Sequence, residues 1–196
     1  MTNALVAARD LPGPGTSLGI ENALRRSMNA LVVYFSRTGT TRKVAETIAS
    51  SLGADIEAIH EPLNRLGPRG YLRSGFDATL SRWVPTDALD RDPTRYDLVI
   101  VGTPVWGWSL SAPVRSFLSN HARRLHKVAF FVTEGGGGAR RVFEQMAQVV
   151  AADPVATLAL AQRDVERGTA SRAVESFLAS LPKKTTAASP SAHRAS

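Results

Sequence analysis

Apolar residues in this sequence form short continuous runs, and these alternate with stretches in which they recur every three or four positions. A continuous run of about six apolar residues is typical of a parallel strand that is buried on both faces. The pattern predicts five strands, the second of them short, at Ala30–Phe35, Asp55–Ile59, Tyr96–Val101, Lys127–Thr133 and Val155–Leu160.

The periodic stretches between these runs predict helices with one apolar face. We expect them at Thr41–Leu52, from about Ser111 onward, at Arg140–Val150 and at Thr169–Leu181. Gly53 is placed to end the first helix, and Ser111 is a suitable N-cap for the second. The predicted core faces are Val44, Ile48 and Leu52; Val114, Phe117 and Leu118; Val142, Met146 and Val149; and Val174, Phe177, Leu178 and Leu181.

Regular alternation of strands and helices predicts an α/β fold in which a five-stranded parallel sheet has helices on both faces. Ligands of such sheets bind beyond the carboxyl ends of the strands, near the point where the strand order reverses. The loops that follow Phe35, Val101 and Thr133 are therefore the places to look for chemistry.

Three segments do not follow the alternation. Residues 1–27 include Pro12-Gly13-Pro14-Gly15 and are expected to be an irregular N-terminal extension of a domain at 28–182. Residues 183–196 are expected to be a disordered basic tail. Residues 61–95 are long for a connection, and they are interpreted as a lid-like or packing insertion with a short helix that carries Phe76, Leu80 and Trp83. The alternative is a separate binding element.

Composition narrows the function. The 196 residues are 43% hydrophobic, enough for one core, and they contain no apolar run of the roughly 20 residues that cross a bilayer. A cytoplasmic protein is expected, since no signal-peptide pattern is seen in the N-terminal segment. The absence of cysteine excludes disulfides, thiolate metal sites and cysteine catalysis, so redox chemistry would need a bound cofactor.

The net charge of +7 is unevenly distributed. Three of these charges lie in the tail, at Lys183, Lys184 and Arg194, and one lies within 1–27, which leaves three on the core. A basic chain often binds nucleic acid. The sequence contains no groove-reading motif and no interleaving of basic and aromatic residues, so nucleic acid is not the expected partner.

The loop Ser36-Arg37-Thr38-Gly39-Thr40-Thr41 joins the first strand to the first helix. It offers four hydroxyls and successive backbone N–H groups at a helix N-terminus, where the helix dipole favours an anion. The glycine permits close approach of the backbone. We interpret the loop as a phosphate site, and the alternative is an ordinary helix start capped by serine and threonine.

Other phosphate-binding motifs are missing. There is no G-x-x-x-x-G-K-[ST], and no G-x-G-x-x-G follows the first strand, which disfavours a nucleotide triphosphatase and a dinucleotide site. A receiver domain would need acidic residues where the chain has Phe35-Ser36-Arg37. Asp87, Asp90 and Asp92 have no histidine at metal-ligand spacing and are interpreted as a solvated surface, so no metal site is predicted. The histidines are scattered and form no arrangement with a nucleophile, so no catalytic residue is predicted: His60, His121, His126 and His193.

The segment Leu31–Val44, LVVYFSRTGTTRKV, resembles the opening strand and phosphate loop of the flavodoxin family. The resemblance continues in order over about residues 30–181 and implies a flavodoxin-like fold with FMN as cofactor. By this resemblance Ser36, Thr38, Thr40 and Thr41 hold the FMN phosphate, together with amides from Arg37 to Thr41. Arg37 departs from the family pattern and either pairs with the phosphate or points outward.

The resemblance also places two further loops around the flavin ring. Gly102–Ser109, with Pro104 and Val105, is expected to lie against the isoalloxazine, and Trp106 is favoured over Trp108 as the stacking residue. The other tryptophan is expected to be partly structural. Gly107 is placed to present a carbonyl to flavin N5.

The third loop runs from Thr133 to Gly138 and contains four consecutive glycines. Backbone amides of Gly135 and Gly136 are expected to approach the pyrimidine edge of the ring. Glu134 is either a polar neighbour of the ring or solvent-facing. The alternative interpretation of this segment is a plain flexible loop.

The resulting hypothesis is an FMN-binding redox protein. It acts either as an electron carrier for a redox partner protein or as an NAD(P)H-dependent quinone or flavin reductase, with an oligomeric state that the sequence leaves open. Carriers of the flavodoxin family tend to be acidic, and the three net positive charges on this core disfavour that role. A non-redox module that keeps the fold without flavin is the remaining alternative.

Overall fold

A computed structural model of the chain describes residues 29–60 and 89–182. The expected N-terminal extension, the basic tail and the short helix with Phe76, Leu80 and Trp83 lie outside the described residues. The predicted domain at 28–182 is therefore described except for its first residue and for residues 61–88.

The described residues contain six strands, five helices and two 3₁₀ turns. The strands are β1 Ala30–Tyr34, β2 Asp55–Ala58, β3 Leu98–Trp106, β4 Ser109–Leu110, β5 Lys127–Glu134 and β6 Thr157–Ala161. The helices are α1 Thr40–Leu52, α2 Ala112–His121, α3 Ala139–Val150, α4 Gln162–Glu166 and α5 Ser171–Ser180. The 3₁₀ turns are Pro93–Arg95 and Ala122–Arg124.

Five of the strands form a parallel sheet in the order β2-β1-β3-β5-β6, and β4 pairs antiparallel with β3. Val32 of β1 is in register with Ile56 on one side and with Ile100 on the other. The strand order therefore reverses between β1 and β3. This is the switch point at which ligands of doubly wound sheets bind.

Alternate residues along the strands lie on opposite faces of the sheet and belong to two separate hydrophobic cores. Val32 and Phe131 pack with α1 and α5 on one face, whereas Val33 and Phe130 pack with α2 and α3 on the other. All four side chains are fully buried. The central strands β1, β3 and β5 must therefore be apolar on both sides, which explains the continuous runs in the sequence. The predicted three-layer α/β fold is confirmed.

Gly102 in the middle of β3 shows how tightly the layers pack. A Cβ placed on this glycine would overlap the ring of Phe131 on the neighbouring strand β5. The aromatic ring therefore occupies the space that any other residue at this position would fill. Gly53 ends α1 in the left-handed conformation, at φ +62°, as its position predicted.

A polar cluster joins the edge strand β2 to the segment that precedes β3. The Tyr96 hydroxyl donates to Asp55 Oδ2 at 2.7 Å, and Arg91 Nη1 donates to Glu57 Oε1 at 2.8 Å. Arg91 Nε lies 3.5 Å from Asp55 Oδ1. Burial of the phenol is the largest cause that raises the pKa of Tyr96, to about 12, and the hydrogen bond to Asp55 is the second largest.

The structure corrects the expectation that a loop begins at Gly102. β3 continues to Trp106 because it stays paired with β5 as far as Pro104 and Thr133, and it then folds back into β4. Only Gly107 and Trp108 form the turn. The helix α4 was not predicted. The last strand begins at Thr157 rather than at Val155, whose amide nevertheless donates to Val128 O.

Candidate functional site

The loop between β1 and α1 is shorter than the sequence suggested, because Thr40 and Thr41 already belong to the first turn of the helix. Gly39 occupies the N-cap position with φ +92°, a conformation that favours glycine. Its amide donates to Ser36 Oγ at 3.2 Å, which tightens the loop. The amide of Lys43 makes the first helical bond, to Gly39 O. First-turn amides such as those of Thr40 and Thr41 have no intrahelical acceptor and can bind an anion.

The hydroxyls of the loop differ in their surroundings. Thr38 is exposed, and its Oγ1 lies 3.4 Å from Oγ1 of Thr40, which is buried. Ser36 is half-buried, and its Oγ accepts a hydrogen bond from the Gly39 amide. Two of these hydroxyls lie in the loop and the third lies in the first turn of α1. They supply a compact set of donors for a phosphate group.

The fourth hydroxyl, that of Thr41, lies in the interior. Thr41 Oγ1 is 2.8 Å from Thr133 Oγ1 at the end of β5, and both residues are buried. This bond links α1, which follows the phosphate loop, to β5, which precedes the glycine loop. The Thr41 hydroxyl therefore has a partner in the core, while its backbone amide remains in the first turn of the helix.

Trp106 connects the hairpin to the phosphate loop. Its half-buried ring lies 5.4 Å from the ring of Phe35, centroid to centroid, in an edge-to-face arrangement. The guanidinium carbon of Arg37 lies over the same indole, 5.8 Å from its centroid. Arg37 therefore does not simply point outward, and Trp106 makes the packing contacts that were expected of the structural tryptophan.

Trp108 has a different environment. It is 62% exposed, and its φ of +56° follows a φ of +53° at Gly107. Two successive positive φ values are typical of the type I′ turn that joins hairpin strands. A bulky residue rarely adopts this conformation, which costs roughly 1–2 kcal/mol. The hairpin thus presents an indole at the edge of the site in a strained backbone conformation.

The glycine loop packs against that indole. Gly137 and Gly138 have φ +109° and +107°. A Cβ on Gly138 would lie 2.8 Å from Trp108 Cδ1 and 3.0 Å from Val105 Cγ1. Gly135 and Gly136 are exposed, and a Cβ on either would meet no atom within 4 Å. The loop is therefore tight against the hairpin at one end and open at the other.

Glu134 closes the glycine loop. Its Oε2 accepts a hydrogen bond from the amide of Ala139, the first residue of α3, at 2.9 Å. A carboxylate at a helix N-terminus is also favoured by the helix dipole. Glu134 is half-buried, so its carboxylate serves the loop as a cap rather than facing solvent freely.

Sequence reasoning missed the polar contacts that hold the hairpin. Thr103 Oγ1 and Ser111 Oγ are buried and lie 2.8 Å apart. Ser111 occupies the N-cap position of α2, but its hydroxyl makes no bond to a helix amide, which corrects its predicted capping role. Gln145 Oε1 accepts from Leu110 N at 2.7 Å and from Arg115 Nη2 at 3.4 Å. No local sequence signal indicates these long-range pairs.

Together the contacts join three loops at one edge of the sheet. The phosphate loop contacts the hairpin through Arg37 and Trp106, and it contacts β5 through Thr41 and Thr133. Pro104 and Val105 lie half-buried at the end of β3, between these loops. The arrangement provides anion donors, an exposed aromatic surface and a glycine backbone that a planar ligand could approach.

Comparison with known proteins identifies the family. The sequence model of the NADPH-dependent FMN reductase family matches residues 28–163. The chain belongs to this family. The match covers β1 to the beginning of α4 and includes all three loops. It confirms the expectation of an FMN-binding oxidoreductive protein, and FMN is the cofactor that the donor set at this edge fits.

Solved structures share the fold of this FMN reductase family member. A flavoprotein from Lactobacillus acidophilus, determined in complex with FMN, is 21% identical with a TM-score of 0.61; the match covers 73% of this chain and 99% of that one. A flavoprotein candidate from Bacteroides eggerthii is 20% identical with a TM-score of 0.59, and the match covers 74% of this chain and 98% of that one. A second candidate, from Bacteroides uniformis, is 19% identical with a TM-score of 0.61, and the match covers 72% of this chain and 97% of that one.

The comparison with curated proteins gives no match. Within residues 29–60 and 89–182, no helix combines the length and the apolar character that crossing a membrane requires.

Proposed function

We propose that this protein is an NAD(P)H-dependent oxidoreductase that holds FMN at the carboxyl edge of its sheet and passes electrons to a quinone or flavin acceptor. The observation that carries the proposal is the meeting of three loops there: the hydroxyl-rich loop after β1, the β3–β4 hairpin and the glycine loop after β5. Membership of the NADPH-dependent FMN reductase family supports the choice of donor.

The phosphate end of the cofactor belongs at the loop after β1. The hydroxyls of Ser36, Thr38 and Thr40 and the amides of Thr40 and Thr41 would donate to a dianionic phosphate, while the Gly39 amide donates to Ser36 Oγ. A hydrogen bond to a charged group is worth about 1.5–3 kcal/mol, so several together provide a strong anchor. A Cβ on Gly39 would meet no atom within 4 Å, which leaves the loop open to a ligand.

The ring end belongs between the hairpin and the glycine loop. Trp106 and Trp108 supply aromatic surface on the two sides of Gly107, with Pro104 and Val105 behind them. Gly135 and Gly136 are exposed and would offer their backbone amides to the ring, and the bond from Ala139 N to Glu134 closes their loop. When bound, FMN supplies the ability to accept a hydride and to pass its electrons on.

The net charge of the core favours an enzyme over a one-electron carrier. Three net positive charges lie on the core, whereas carriers of this fold dock basic partners through acidic surfaces. A basic protein attracts anionic dinucleotides such as NADPH instead. The cytoplasmic location expected from the sequence stays a prediction.

Stopped-flow spectroscopy of the FMN-loaded protein tests the proposal. Anaerobic mixing with NADPH or NADH should bleach the visible flavin spectrum directly, and a quinone or free flavin added afterwards should restore it. Dithionite is the control, because it reduces any bound flavin. Bleaching by dithionite but by neither nicotinamide would indicate a carrier, and failure to bind FMN at all would overturn the proposal.

A further inference from the structure

The sequence left open whether the Arg37 side chain pairs with the phosphate or points outward. Its guanidinium carbon lies 5.8 Å from the centroid of the Trp106 indole, and its side chain is half-buried. Trp106 is in turn held edge-to-face against Phe35. The cation is therefore located between the phosphate loop and the hairpin, on the side of the site where the ring of the cofactor is proposed to lie.

Such a charge acts more strongly than the other arginines near this edge. Arg140, in the first turn of α3 after the glycine loop, is 94% exposed and pairs loosely with Glu144 at 3.8 Å. Water and salt screen a charge of that kind. A half-buried guanidinium packed on an indole is screened less, and the cation–π contact favours this position.

We propose that Arg37 raises the two-electron reduction potential of the FMN bound at this edge. The inference rests on the proposed function. A hydride carries two electrons and one proton, so the nicotinamide that donates it gains one positive charge and the flavin that accepts it gains one negative charge. The guanidinium stabilises that added negative charge and so raises the potential. A higher potential favours reduction by a hydride donor, whereas a one-electron carrier works at a low potential.

A measurement of the reduction potential distinguishes an effect of Arg37 on the flavin ring from binding of Arg37 to the phosphate. The phosphate group has the same charge in both oxidation states of the cofactor. An interaction between Arg37 and the phosphate would strengthen binding of both states equally and would leave the potential unchanged. A change in potential therefore reports the effect of the guanidinium on the ring.

The experiment compares three variants with the wild-type protein, each loaded with FMN in excess of its dissociation constant. Arg37→Gln removes the charge, Arg37→Lys keeps it, and Arg140→Gln removes an equal but solvated charge. Spectroelectrochemical titration gives the midpoint potential, and quenching of flavin fluorescence gives the affinity. Thermal unfolding of the apo-proteins checks that each variant is folded.

We expect Arg37→Gln to lower the affinity for reduced FMN about tenfold relative to oxidised FMN, which is the order of magnitude that one partly screened charge contributes. For a two-electron couple this corresponds to a potential about 30 mV lower. Arg37→Lys should retain most of the wild-type potential, and Arg140→Gln should change it much less than Arg37→Gln does.

Three results for the potential would overturn the inference: an unchanged potential in Arg37→Gln, equal shifts in Arg37→Gln and Arg140→Gln, or a lysine variant that behaves like the glutamine variant. Loss of FMN binding in Arg37→Gln with riboflavin binding retained would assign the guanidinium to the phosphate and also contradict it. Failure of the wild-type protein to bind FMN or to accept electrons from NAD(P)H would instead contradict the proposed function.

Discussion

The indole of Trp108 lies so close to Gly138 that a Cβ on the glycine would stand 2.8 Å from Trp108 Cδ1. This contact fixes the hairpin against the glycine loop. Both residues have positive φ values. Trp108, at +56°, is strained, and Gly138, at +107°, adopts a conformation that favours glycine. Such strain is retained where the surrounding structure requires a particular geometry.

Replacing Gly138 should therefore damage the site as well as the fold. Gly138→Ala places a methyl group against Trp108 in a conformation that disfavours alanine, and we expect a loss of about 1–3 kcal/mol in the free energy of unfolding of the apo-protein. Urea unfolding followed by circular dichroism measures this loss. Gly136→Ala is the matched control, since its Cβ meets no atom within 4 Å and its φ is not positive. Equal effects of the two substitutions would contradict the packing role of Gly138.

The phosphate assignment predicts a difference between two ligands. Thr38→Ala combined with Thr40→Ala should weaken binding of FMN by about 100-fold, because two donors to a charged group are lost. Riboflavin lacks the phosphate and should bind nearly unchanged. Isothermal titration calorimetry with each ligand measures both affinities. Thr47→Ala, an exposed threonine of the same helix whose hydroxyl donates to Lys43 O, should leave both intact. Equal losses for FMN and riboflavin would remove these hydroxyls from the phosphate site.

The buried pair formed by Thr41 and Thr133 should show strong coupling. Thr41→Val or Thr133→Val alone leaves one buried hydroxyl without its partner and should cost about 1–3 kcal/mol of unfolding free energy. The double substitution should cost less than the two single ones together. A double-mutant cycle by urea unfolding measures the coupling, and strict additivity would show that the 2.8 Å contact contributes nothing to stability.

The sheet and its helices could be predicted because their signals are local. Ala30–Phe35 is apolar at every position, and the stripe of Val44, Ile48 and Leu52 fits one helix face. The phosphate loop was found for the same reason, since its residues are adjacent in the chain. Each of these features depends on neighbours within about a dozen residues.

The remaining parts of the site depend on residues that are far apart. Thr41 and Thr133 are separated by 92 positions, and nothing near either one indicates the other. The hairpin was missed because Trp108 adopts a conformation that its own type disfavours, and packing against Gly138 holds it there. Tertiary contacts, not local preference, decide these positions.

Tyr96 makes stability depend on pH in the alkaline range. The pKa of its phenol is about 12 in the folded protein against 10.0 for an unperturbed tyrosine, so the folded state favours the protonated form. The stabilisation from its bond to Asp55 is complete below pH 10.0 and is lost as pH rises through about 12. Tyr96→Phe should cost about 1 kcal/mol near neutral pH. Urea unfolding of both proteins at several pH values should show this difference shrinking above pH 10.0. A difference that stays constant would mean that the phenol does not titrate as described.

The central claim is that FMN binds at the carboxyl edge of the sheet with its phosphate at the loop after β1. Two-dimensional ¹H–¹⁵N NMR of the apo-protein, titrated with FMN and in parallel with riboflavin, tests this directly. We predict that the amides of Gly39, Thr40 and Thr41 shift strongly with FMN and weakly with riboflavin, while those of Gly135 and Gly136 shift with both. Shifts confined to the opposite end of the sheet, around Arg123–Lys127, would contradict the account.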